Sequence, residues 1–135
     1  MDELLDAAVG FAREMLVDRG AFYPFGATVL AEGDVAMSTV DAGLGDAPES
    51  AGVIEALTES FREQAAHGDI RACAICCDVR LEEHASGLDD AILITIEHRD
   101  AGAVHVFLPY RLGDDRDLSY GELSALRAES AIFRP

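Results

Sequence analysis

The side chains best placed to do chemistry in this 135-residue chain are Glu97, His98 and His105. They lie near the turn between two β-rich runs, 91–99 and 103–111. The turn Asp100-Ala101-Gly102 suits a three-residue loop, a type I turn closed by a glycine in the left-handed region. That loop sets Arg99 opposite Ala103 and Glu97 opposite His105. It also gives Ile92, Ile94 and Ile96 one face with Tyr110, Leu108 and Val106. A two-residue loop would instead put Val106 opposite Glu97 and break the apolar face, because a one-residue slip turns every side chain over. A carboxylate that orients an imidazole is a recurring part of general-base sites and of metal surroundings. Here no nucleophile stands beside the pair in sequence, and two ligands do not make a metal site. His98 projects from the other face. The residues expected to touch a ligand or an interface are Tyr23, Phe25, Glu97, His98, His105, Tyr110 and Arg111. No catalytic residue, metal ligand or cofactor is assigned.

Other chemistry-bearing residues carry less. Cys73 and Cys76 have the two-residue spacing of metal and redox motifs, but on a strand they point to opposite faces and cannot share a ligand sphere. Cys73 and Cys77 share a face, with no second pair to complete a site. Gly43-Leu44-Gly45 lacks the Lys and Ser/Thr of a phosphate loop. The acids of the loop 82–90, with His84, match no calcium-loop spacing. An odd number of cysteines fits buried thiols in a reducing compartment better than a disulfide framework.

The elements that must position these residues follow from periodicity. Leu4, Leu5, Ala8, Val9, Ala12, Met15 and Leu16 predict a helix over 2–19, stopped by Gly20. The run Phe22-Tyr23-Pro24-Phe25-Gly26 links it to a hairpin of strands 27–32 and 35–40, turning at Gly33-Asp34. After an acidic linker, 41–47, Asp46 caps a second helix with Val53, Ile54, Leu57, Phe61 and Ala65 as its buried stripe. Residues 70–81 read as a long strand that leads through a polar loop into the main hairpin. Ser119 and Glu122 have capping-box spacing, so a short helix is predicted over 120–127. Ala131-Ile132-Phe133 reads as an apolar hook.

The order α-β-β-α-β-β-β-α predicts a single α+β domain over 1–135. Its five-stranded antiparallel sheet is flanked by helices. The element order resembles the roadblock and profilin-like group. That resemblance implies the sheet order 2-1-5-4-3 and a homodimeric interaction module without enzymatic activity. Phe22-Tyr23-Pro24-Phe25-Gly26-Ala27 and Phe107-Leu108-Pro109-Tyr110-Arg111 resemble landmarks of a family of small uncharacterised bacterial proteins, a resemblance that implies no catalytic residue.

Charge narrows the partners. Acids number 26 against 10 bases, all of them Arg, for a net charge of −16. Such a surface repels nucleic acid and anionic membranes. No apolar run reaches the ~20 residues of a membrane span, and Met1-Asp2-Glu3 is unlike a basic signal-peptide start. The expected setting is cytoplasmic. Three functions are in view: a non-enzymatic protein-interaction module acting as a homodimer; an acidic inhibitor or immunity-type protein covering a basic partner; and a small-molecule or metal binder using the Glu97/His105 region.

Overall fold

A computed structural model describes residues 2–19, 24–38, 50–80, 90–100, 102–113, 118–129 and 132–133. Its elements are α1 (Asp2–Arg19), β1 (Phe25–Leu30), β2 (Val35–Ser38), α2 (Ser50–Ala66), β3 (Ile70–Arg80), β4 (Asp90–His98), β5 (Gly102–Leu112), β6 (Leu118–Tyr120) and β7 (Ser124–Ala128). The strands form one antiparallel sheet in the order β2-β1-β3-β4-β5-β6, with β7 also paired to β5.

Two helices cover opposite faces. In α1, Leu4, Ala8, Ala12 and Leu16 recur every fourth residue and are fully buried, as an apolar stripe on a helix must be when it packs on a sheet. They meet Phe25 and Ala27 of β1, Ala72, Ala74 and Cys76 of β3, Ile92, Ile94 and Ile96 of β4, and Val106, Leu108 and Tyr110 of β5. The Phe11 and Phe25 rings, with centroids 4.6 Å apart, tie α1 to β1. In α2, Val53, Leu57 and Phe61 pack with Ile70 and Cys73 in a second cluster. Gly26 permits this approach: a Cβ there would run into the Phe61 ring.

The expected order 2-1-5-4-3 is not the one formed. β3 lies between β1 and β4, and β5 does not touch β1. A tight connection decides this. Gly68 takes a positive φ of 75° after α2, and the Asp69 carbonyl accepts the Ala31 N–H at 2.9 Å. β3 therefore starts beside the end of β1. The small apolar residues Ala72, Cys73, Ala74 and Cys76 become central and buried, where an edge position would have left one backbone side open.

Both hairpins turn differently from expectation. The first closes with Leu30 N–H donating to the Asp34 carbonyl at 2.8 Å, so Ala31, Glu32 and Gly33 form the loop and Gly33 takes φ 103°. In the main hairpin His98 stands opposite Gly102, and Ile92, Ile94 and Ile96 face Leu108, Val106 and Val104. This is a shift of two positions from the expected register. An even shift keeps every side chain on its face, so the apolar ladder survives, but the cross-strand partners change.

The short helix expected over 120–127 is absent; β6 and β7 occupy that stretch. Both pair with β5. An eight-residue helix is marginal by itself, whereas a strand here satisfies the outer N–H and C=O groups of β5. Pro109 explains why two strands form. It has no N–H to give, and its carbonyl accepts the Gly121 N–H at 2.7 Å, just past the end of β6. Across this break the outer register slips by one residue, from Tyr110 opposite Tyr120 to Phe107 opposite Ser124.

Candidate functional site

The α2 side of the sheet is covered unevenly. α2 contacts β1 and β3. Beyond it, β4 and β5 present Leu93, Thr95, Glu97, Ala103, His105 and Phe107, on the strand positions that alternate with the buried Ile92-Ile94-Ile96 ladder. All of these but Glu97 are only half-buried. Most of the side chains with chemical potential lie here.

The two-position shift separates the expected pair. Glu97 stands opposite Ala103, and His105 stands opposite Thr95. Thr95 Oγ1 and His105 Nδ1 are 2.9 Å apart. The hydroxyl donates when Nδ1 carries no proton and accepts when it does. A hydroxyl against an imidazole has the form of a nucleophile with its base, but the expected orienting carboxylate is engaged elsewhere.

Glu97 is 3% exposed. Its carboxylate accepts the Ile132 N–H at 3.1 Å on each oxygen and the Phe133 N–H at 2.9 Å. Ile132 and Phe133 pack against the α2 cluster. A buried carboxylate requires hydrogen-bond donors. That requirement, applied to a Glu in a nearly apolar strand, was the sequence signal for a docked backbone, and it points to no particular donor. Across the sheet Glu97 faces Cys73. Burial first, and then the Glu97 charge, push the Cys73 thiol up to about 12. Burial likewise raises Cys76 and Cys77. All three thiols are therefore protonated near neutral pH and are poor nucleophiles.

The remaining expected residues do not converge on this surface. Tyr110 is part of the α1-side core, and its hydroxyl donates to Asp78 Oδ1 at 2.7 Å, so the side chain reaches from β5 across β4 to β3. Burial chiefly, together with Asp78, holds the phenol well above its usual range. Burial also raises the Asp78 carboxyl, helped by Asp90 and opposed by the tyrosine hydrogen bond. His98 Nδ1 accepts the Asp100 backbone N–H at 3.0 Å. Phe25 is buried in the α1-side core. Arg111 is exposed on β5 opposite Ser119, and Tyr23 lies outside the described residues. Among the described residues no three His, Cys, Asp or Glu side chains are placed to hold a metal ion, and no helix is long and apolar enough to cross a membrane.

A feature absent from the sequence reading lies at the β6–β7 edge. Tyr120, Leu123 and Leu126 are 41%, 47% and 61% exposed. Leu126 stands opposite His105, which puts it on the open half of the α2 face. Without the one-residue slip at Pro109 it would stand opposite Val104, on the face that α1 covers. Comparison of the chain with protein-family models, with curated proteins and with solved structures found no match.

Proposed function

We propose that the protein is a non-enzymatic protein-interaction module that acts as a homodimer through its β6–β7 edge. The observation that carries this reading is the exposure of Tyr120, Leu123 and Leu126 along the outer side of β5. Edge strands are ordinarily guarded by charge, because their open backbone groups invite pairing. Here β6 and β7 themselves hold no acid in a chain of net charge −16; Arg127 is their one charged residue, with Glu122 between the two strands and Glu129 just after β7. Two copies of β7 can meet through Ser124, Leu126 and Arg127 without bringing an acid of either strand into the pairing. A two-fold pairing of β7 with its copy is self-complementary and closed. The dispersal of Tyr110, His98, Glu97 and His105 into separate contacts favours this reading over a small-molecule or metal site.

Light scattering coupled to size exclusion at low micromolar concentration tests it. The wild-type chain runs as a dimer, more completely at 0.5 M salt than at low salt because screening relieves the mutual repulsion of two acidic copies. Leu126→Asp runs as a monomer with unchanged circular dichroism. A wild-type chain that stays monomeric at both salts overturns the reading.

The acidic surface favours a second reading, an inhibitor or immunity-type protein that covers a basic partner in the cytoplasm. A pull-down at low salt then recovers a basic protein that is lost at high salt; recovery of no such protein removes this alternative.

A further inference from the structure

The contact between Glu97 and the segment after β7 does something that core packing alone does not require. Three features coincide there. A carboxylate 3% exposed accepts two successive backbone N–H groups, from Ile132 and Phe133. The two side chains of that segment stay half-exposed while packing against the cluster of Val53, Leu57, Phe61, Ile70 and Cys73. Beneath them, Cys73 sits across the strand from Glu97 and is 1% exposed. Ile132 and Phe133 belong to no helix or strand, and both of their backbone N–H groups are given to the carboxylate.

We propose that Ile132 and Phe133 form a strap, fastened by Glu97, that covers the apolar cluster between α2 and β3 and opens without unfolding the sheet. Segments held by few apolar contacts open locally at a lower free energy than the strands beneath them. The strap's hold is concentrated in hydrogen bonds to a charged group, the strongest kind a backbone N–H makes. Release uncovers the side of the α2 cluster that Ile132 and Phe133 pack against, the cluster to which Cys73 belongs. The thiol then loses the burial that suppresses its ionisation, so its reactivity reports the open state. Cys76 lies on the other face, in the α1-side core, and serves as an internal control for global unfolding.

The test is alkylation with iodoacetamide under native conditions, followed by peptide mapping of each cysteine. In the wild-type chain, Cys73 is modified at a rate that mild urea leaves nearly unchanged, while modification of Cys76 follows global unfolding. Glu97→Gln keeps the shape and loses the charge, so Cys73 labelling rises about tenfold or more and Cys76 stays at its wild-type rate. Ile132→Ala/Phe133→Ala, which removes the strap's apolar grip and leaves Glu97 in place, gives the same selective rise. Cys73 labelling that is unchanged in Ile132→Ala/Phe133→Ala overturns the proposal, because this variant keeps the Glu97 charge that itself holds down the thiol's ionisation. So does wild-type labelling in which Cys73 and Cys76 rise together with urea, because the strap then opens only when the whole fold does.

Discussion

The two faces of the sheet differ in what holds them. Under α1, Ile92 and Ile94 are fully buried, and Val106, Leu108 and Ala74 complete a continuous apolar layer. Under α2 the cover reaches β1 and β3, and the alternating positions of β4 and β5 include Thr95, Glu97 and His105. The first face is explained by burial, with one polar pair, Tyr110 and Asp78, at its margin. On the second, each polar side chain has found a specific partner: Thr95 with His105, and Glu97 with the Ile132 and Phe133 backbone. One face supplies stability; the other supplies the residues with room to act on something else.

The largest expected effect is at Ile94. Ile94→Ala on the α1 side removes a fully buried side chain and is expected to cost about 2–5 kcal/mol, measured as a lower urea midpoint at constant slope. A cost no larger than that of a half-buried residue on the other face would mean that α1 is not the principal cover.

Alkaline pH gives an intermediate effect. The folded-state Cys73 thiol is raised from 9.0 to about 12, so the unfolded chain releases this proton first. The stability from the neutral thiol is fully present below pH 9 and is lost as pH rises from 9 towards 12. At pH 10 the loss is about 1 kcal/mol for this one group. Thermal unfolding at pH 8 and pH 10 should show it, and Cys73→Ala should flatten the dependence. Equal slopes in the two chains would mean that Cys73 is not shielded in the native state.

The smallest effect belongs to the open half of the α2 face. Thr95→Val breaks the contact with His105 at nearly constant volume. It should cost about 0.5–1.5 kcal/mol, at the low end because both residues are half-buried. A loss matching that of Ile94→Ala would show that the polar pair is part of the main core.

Much of this was legible in the residues. The helical stripe Leu4-Ala8-Ala12-Leu16, the stripe Val53-Leu57-Phe61, and the division of Cys73 and Cys76 between two faces follow from the periods of helix and strand. The Glu97–His105 pairing did not follow, although the face of each residue was read correctly. Hydrophobic alternation distinguishes odd shifts from even ones and cannot tell one even register from another. The spacing of Ser119 and Glu122 suggested a helix because a capping pattern is local. The structure makes strands there because β5 has an outer edge to satisfy.

The sequence by itself determined which side chains share a face, where α1 lies and that a meander of apolar strands forms the sheet, because these depend on periodicities that each segment carries alone. Only the tertiary structure decided that β3 lies against β1, that Pro109 turns Leu126 to the open face and that Glu97 fastens Ile132 and Phe133. Each of these is a choice of partner between segments distant in the chain, fixed by which backbone groups and buried charges remain to be satisfied once the elements have packed.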